Sequence, residues 1–472
     1  MHLPGGVHRQ RTDHMPDRSP EAAQRGSVGT HHTGTVSVQI FRCSNVSEFV
    51  IHAPARPPEK SPPPRHAPGS MAAALSHPAY RRVFAGTFSS NVGTWMQNVI
   101  LIALAYDLTD SSTFIGVITF AQLGPMLLLS PVGGAIADRV NRRVLMVSIA
   151  ATQALLSAAL AVVVTRDDPS LVLLVVIVAG IGIGAALNAP TANAILPELA
   201  GRRDLQGAVA LNSAAMNASR VVGPVLGGAA AAIGGATFVF MVNAATFVFV
   251  ILAVATADAD FSAKGKRGES PVAQMAGGIR EARRDRVVGR VLVTIAAYSL
   301  FCLVFIYQMP RIADEQFDLV GWRYTLLFST FGLGAFTGAI SMGSWLTPFG
   351  RPLMVRAGLG VFAASLGVFA LSWSTWTGFP SAFFAGASYF VIVTALVTTL
   401  QLRVADEVRG RVMGLWMMAW AGLVPVGGLI GGVVIDLVGL TPVLLAGVAV
   451  AVLLAVFVDL SEADRPVRVG SG

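Results

Sequence analysis

From residue 83 to residue 458 the chain consists of long apolar runs separated by short polar breaks. A helix needs roughly 20 consecutive apolar residues to cross the hydrocarbon of a bilayer. Twelve such runs can be read, at about 83–106, 112–136, 144–165, 171–195, 208–233, 236–256, 290–309, 324–345, 353–374, 376–400, 412–436 and 440–458. No water-soluble globule fits this pattern, because 54% hydrophobic against 13% charged residues leaves too little polar surface to cover one. In lipid a lone span must satisfy its own backbone groups, and it does so as a helix. The sequence therefore predicts an all-α integral membrane protein of twelve transmembrane helices. Its 49 glycines suit helices that approach closely in lipid.

The polar parts set the domain limits and the orientation. Residues 1–75, rich in proline, histidine and arginine, have nothing with which to build a core and are expected to be a disordered extension. Met71, opening MAAALSHPAYRRVF, is an alternative start. A six-helix bundle is expected over 76–256 and another over 290–460, joined by a central loop at 257–289 and followed by a tail at 461–472. GIREARRDRVVGR at 278–290 reads as a basic surface helix leading into the seventh span. Lysine and arginine crowd the even-numbered breaks, while the odd ones carry only Arg166, Arg311 and Arg323 beside several acids. Both termini are therefore expected in the cytoplasm. The net charge of +8 lies in loops between apolar spans, so its acidic partner is the lipid bilayer, and no nucleic-acid signal is present. Cys43 and Cys302 make neither a metal pair nor a disulfide framework.

Three stretches stand out. PVGGAIADRVNRRVLM at 131–146 places Asp138, Arg139, Arg142 and Arg143 between two spans, three residues after the glycine pair that ends at Gly134. Asp138 precedes the run that starts at Val144, where a helix's free amides and positive dipole end favour a carboxylate. Asn141 tolerates the left-handed backbone of a tight turn. The arginines are expected at the headgroup level. This cluster either latches and unlatches as helices slide, or only fixes topology as a positive turn. An outline of it recurs at GSWLTPFGRPLMV, 343–355, with Thr347 in place of the acid, and GPVLGG at 223–228 recurs as GGLIGG at 427–432. Such parallel repeats suggest two related halves with substrate handled between them.

The second stretch is 212–235 in the fifth span, where Gly223, Pro224, Gly227 and Gly228 remove bulk and one backbone donor. That helix can bend and meet its neighbour backbone to backbone, or the small residues simply pack. Arg220 lies near its centre, where a charge costs about 2.5–3.5 kcal/mol on insertion scales, so it must face inward. It is a counter-charge for an acidic substrate, a coupling group, or a cap on carbonyls loosened by Pro224. The third is a polar stripe in the first span. Asn91, Thr94, Trp95 and Asn98 share a helix face, lining a cavity or bonding other helices. Gln122, Asn188, Asn193, Asn217, Asn243 and Tyr298 are further candidates for the same cavity. No aspartate or glutamate lies mid-span; Asp107 and Asp436 lie at outer ends.

The stretch from Gly134 to Arg143 resembles motif A of the major facilitator superfamily, with Asn141 where a glycine is usual, and 212–235 resembles the motif C associated with its exporters. With SSNVGTWMQNVILIALAYDLT at 89–109 and RGRVMGLW at 409–416, the chain is similar over about 75–460 to the bacterial transmembrane secretion effectors, the branch that includes the enterobactin exporter. The resemblance implies two pseudo-symmetric six-helix bundles in a bacterial inner membrane and a monomer. It implies export of drug-like or siderophore-like small molecules by alternating access, with protons as the coupling ion in antiport. An importer or facilitator on the same fold, or a non-transporting scaffold or sensor, are the alternatives. The sequence has no phosphate loop, GxSxG or metal-ligand cluster, so no enzyme activity, metal or other cofactor is expected.

Overall fold

The computed structural model describes residues 66–137, 139–262, 271–346, 348–372 and 374–460. Every regular element among them is helical. In order these are α1 (Met71–Ser76), α2 (Pro78–Thr109), α3 (Ser112–Ala137), α4 (Arg142–Val163), α5 (Leu171–Ala255), α6 (Pro271–Arg284), α7 (Arg286–Ala297), α8 (Val304–Tyr307) and α9 (Met309–Phe317). They continue as α10 (Tyr324–Gly343), α11 (Arg351–Leu371), α12 (Thr375–Arg403), α13 (Asp406–Met417), α14 (Leu423–Val438) and α15 (Leu440–Phe457).

Eight helical stretches are long and apolar enough to span a membrane, and one of them, α5, runs for 85 residues. Non-helical backbone breaks it at Gly201 (φ 73°) and at Gly234–Gly235 (φ 67° at the second), where only glycine takes the left-handed turn without strain. Its three parts coincide with the expected fourth, fifth and sixth spans. The polar stripe of 89–98 explains why α2 is not among the eight, although its helix is continuous. Short π-helical segments at Tyr298–Cys302 and Met418–Gly422 join α7 to α8 and α13 to α14.

The core divides into aromatic and aliphatic parts. Phe305 packs edge-on to Phe331, Phe362 and Phe369 with ring centres 5.7, 5.7 and 6.2 Å away, in the second half of the chain. The first half is filled by aliphatic side chains such as Ile115, Ile118, Leu160 and Val178, all fully buried.

Several expectations need correction. Residues 66–75 are not structureless: Ser70 caps α1, and the Asp204 carboxylate accepts from the Gly69 amide (2.8 Å) and bonds the His77 ring (2.9 Å). Residues 1–65 lie outside the described residues. The surface helix expected at 278–290 is two helices, broken where Asp285 accepts from the amides of Val287 and Val288 and so caps α7.

Candidate functional site

Asp138 lies outside the described residues, but its neighbours do not stand as the sequence suggested. Asn141 is not left-handed; with φ −57° it is the N-cap of α4, its side chain accepting from the amides of Arg143 and Val144. That position falls to Asn141 because the helix starts at Arg142. Nor does Arg142 sit at the headgroups: it is buried, and donates to the Ala194 carbonyl at 3.1 Å. Arg143 donates to the Ala257 carbonyl at 2.6 Å and lies 4.6 Å over the Phe261 ring. Arg139 is exposed. Both inner arginines thus bond carbonyls of the first half of the chain, one inside α5 and one just past its end. Gly134 lies in the last turns of α3.

The stripe on α2 splits between two jobs. Asn91, Thr94, Trp95 and Asn98 are half-buried, and Asn98 accepts from Gln122. Gln97, one residue off the stripe, is fully buried and accepts from Asn243 at 2.9 Å, which also donates to Ser157. Asn243 therefore joins helices and lines no cleft. Asn188 and Asn193 are exposed, and Asn217 donates to the carbonyl one turn back, at Ser213. Tyr298 is corrected too: its ring is wholly buried 5.0 Å from Phe362, in the aromatic core and not on a cleft wall.

The glycines of 223–228 lie where α5 touches α2 and α10. A side chain at Gly223 would strike Trp95, one at Gly227 would meet the Met96 backbone, and one at Gly228 would strike Thr325. Pro224 has no amide to donate to the Arg220 carbonyl one turn back, and Gly332 of α10 packs against that carbonyl. The guanidinium does not compensate. Arg220 holds its charge 5.5 Å from the centre of the Trp95 ring, and its Nε is buried without a hydrogen-bond partner. Among the described residues no carboxylate pairs with it.

Sequence reasoning missed the tightest polar cluster between the chain halves. The Asp436 carboxylate, near the end of α14, accepts from the amides of Ser112 (3.0 Å) and Thr113 (2.8 Å), the Ser111 hydroxyl (2.8 Å) and Arg311 (2.7 Å). It is an N-cap for α3 supplied by a helix over 300 residues away, answering the free amides and the positive dipole end of that helix. Gln308 donates to the Ser112 carbonyl and Tyr106 to Asp314, at 3.2 Å each. Small residues allow the approach: Gly116 lies on the backbone of Gly428, and Gly432 on that of Ser112. An aspartate two residues from the end of an apolar run carries no sign of this role, because its α3 partners come from the other half and Arg311 from over a hundred residues earlier.

Apolar helices of spanning length, helix breaks at glycine, and a seam between chain halves built of small residues are features shared with the major facilitator fold. Solved transporters of that fold superpose on the chain. The nucleoside transporter NupG aligns with a TM-score of 0.62 and 13% identity, over 80% of this chain and 97% of its own. A bacterial homologue of the iron transporter ferroportin, in an inward-facing state, gives 0.61 and 16% over 82% and 98%. A bacterial homologue of the lysosomal transporter Spinster, inward-facing and unoccupied, gives 0.61 and 16% over 80% and 93%. Residues 69–467 match the transmembrane secretion effector family, and the chain belongs to it. Among curated relatives, the enterobactin exporters EntS of Shigella boydii serotype 4 and Escherichia coli O139:H28 are 26% identical over 343 residues, 72% of this chain and 81% of theirs.

Proposed function

We propose that this chain is a bacterial inner-membrane exporter of small molecules that works by alternating access, and that the structure is its state closed toward the outer face. The observation that carries the reading is the trans cap of Asp436 on α3, which ties the chain halves together at one membrane face. The lysine and arginine distribution puts that face outside and both termini inside. Counting α5 as three crossings and the two π-containing stretches as one each supports our reading of twelve crossings. Motif A would act on the inner face as the clasp remade when the cycle turns, its arginines now held by their own half.

The relatives export enterobactin, so siderophore-like or drug-like metabolites are the substrate classes we assign, and the protein acts as a monomer. Proton antiport is the drive. Asp107, at the closed rim and near Asp110 and Asp314, is the carboxylate we assign to carry the proton. Two measurements test this reading. Deleting the gene should leave at least one metabolite or drug retained in the cells relative to the parent. Inverted vesicles carrying the protein should then accumulate that compound only while a pH gradient, acid inside, is imposed. Accumulation without the gradient would remove the coupling; uptake by right-side-out vesicles alone would reverse the direction.

A further inference from the structure

We infer that Arg220 and the aromatic side chains around it form a binding subsite for a flat aromatic acid, a carboxylate or phenolate joined directly to a ring system; this deepens the exporter reading and rests on it. The site has three parts. The cation is Arg220, whose Nε is buried with no partner and which no carboxylate of the described residues neutralises. A guanidinium presents five donors in a planar fork and cannot lose its charge in a protein. An arginine kept this way inside a membrane protein is completed by an anion from outside the chain, and a planar carboxylate fits its fork in two parallel bonds.

The second part is the surroundings of that charge. The Trp95 ring lies 5.5 Å from the guanidinium carbon, a row of ring contacts runs on from Trp95 through Phe328 and Phe331 to Tyr389, and Tyr307 packs against the cores of both chain halves. Trp95, Tyr307 and Tyr389 are half-buried, so each keeps some surface uncovered. Phe328 backs Trp95 and Phe331 backs Tyr389, at ring separations of 6.5 and 5.8 Å. A flat ring can lie against such faces, whereas a saturated ring of equal size loses the offset stacking. A phenol O–H donates, so Tyr389 can offer its proton to an oxyanion.

The third part is where these groups come from. Arg220 and Trp95 are in the first half of the chain, on α5 and α2; Tyr307 and Tyr389 are in the second, on α8 and α12. A ligand held by the guanidinium on one side and a phenol on the other touches both halves, so its affinity depends on how they are placed. A cationic aromatic compound is rejected, because it would bring a second positive charge beside the first.

The test uses the full chain in phosphatidylcholine nanodiscs, whose zwitterionic headgroups bring no net anionic lipid to compete. Binding of 2-naphthoate, its neutral isostere 2-naphthamide, and cyclohexanecarboxylate is measured by isothermal titration. The acid should bind at least tenfold more tightly than the amide and than the saturated acid. Arg220→Gln should bring acid and amide to equal affinity, and Arg220→Lys should leave a reduced preference, since the charge stays but the fork is gone. Trp95→Leu should narrow the gap between naphthoate and cyclohexanecarboxylate while keeping the acid–amide gap. Equal binding of acid and amide by the unaltered protein overturns the subsite without any variant having to fold, and so does an acid preference that survives Arg220→Gln. Adding phosphatidylglycerol separates the sources of the anion: if it abolishes naphthoate binding, the groove holds lipid headgroups and the proposal fails. Vesicle flux keeps the two readings apart. Flux with no acid preference in binding sinks the subsite and leaves the exporter; acid-selective binding with no flux of any compound sinks the exporter and leaves the subsite.

Discussion

Removing the Asp436 carboxylate should loosen one face of the protein and leave the other untouched. In the structure that side chain accepts four hydrogen bonds, two from the first amides of α3, one from Ser111 and one from Arg311. Each bond to a charged group is worth about 1.5–3 kcal/mol when its partner is removed. The four do not add, because they share one acceptor and because water reaches a side chain that is 27% exposed. The Arg311 bond lies within the second half and survives opening. About 2–3 kcal/mol for the three bonds to the first half is therefore a fair magnitude, and at 1.4 kcal/mol per decade it shifts the closed-to-open ratio roughly 30- to 140-fold. Asp436→Ala should show the full shift. Asp436→Asn keeps one acceptor oxygen for the α3 amides but loses the negative charge at that helix N-terminus, so it should fall between. Spin labels at 168, in the loop between α4 and α5, and at 376, in the first turn of α12, both exposed and on the same face as Asp436, report the distance across the mouth when Cys43 and Cys302 are replaced. The expected order of mean distance is native, Asn, Ala, with the Ala distribution dominated by the longer population. A distance distribution in the Ala variant that superposes on the native one, in protein that still melts cooperatively, would refute the assignment of this cluster as a gate.

Other perturbations follow from the same geometry. Gly227→Leu drives a side chain into the Met96 backbone and should cost about 1–3 kcal/mol as overpacking, read as a lower melting temperature, while Gly360→Ala on α11, which meets open space, should not lower it. Asn141→Ala removes the cap of α4 and should cost about 0.5–2 kcal/mol, checked by faster amide exchange at Arg143 and Val144. The Gly69 amide and then His77 hold the Asp204 carboxylate below its ordinary range, so the strap it makes with 69–77 is present at neutral pH and is lost only as pH falls below about 4. Exchange at the amides of 71–77, corrected for intrinsic rate, should stay slow from pH 7 to 5 and become fast below that threshold; Asp204→Ala should make it fast throughout.

The positions of the spans were legible because each is a run of apolar residues whose length the bilayer dictates, and the observed helices begin and end within a few residues of them. Even so, the polar break around Arg202 and Arg203 is no loop: α5 passes through it with only Gly201 out of helical conformation, because a single left-handed glycine suffices to turn the chain. Arg220 could be singled out in advance, since a charge in mid-span has few neutral explanations, and the glycines beside it could be read as a contact surface. Contacts decided by a partner far along the chain were not legible. Nothing local distinguishes Asp436 from an acid at a membrane rim, or Tyr298 from a tyrosine facing a cleft. The two π segments carry no residue pattern of their own; they show only in which carbonyl each amide reaches. Arg142 was misjudged because its carbonyl partner, Ala194, is contributed by a different helix.

A seam parts most easily where water can replace its bonds. In that respect the Asp436 cluster differs both from the bonds inside one half and from the buried bonds of Tyr324 to the Val99 carbonyl and Gln308 to the Ser112 carbonyl between the halves. Asn243 with Gln97, and Tyr80 with the Ala208 carbonyl at 3.0 Å, join helices of the first half through buried groups; breaking them would strand polar atoms in apolar surroundings. At the Asp436 seam the groups released on parting are a carboxylate, an arginine, two serine hydroxyls and the first amides of a helix, all at the end of α3, where solvent can take over each bond. Parting there leaves glycine surfaces at Gly116, Gly428 and Gly432 that interlock no large side chains. The asymmetry predicts where the protein yields: the halves separate from each other at this face before any helix leaves its own half.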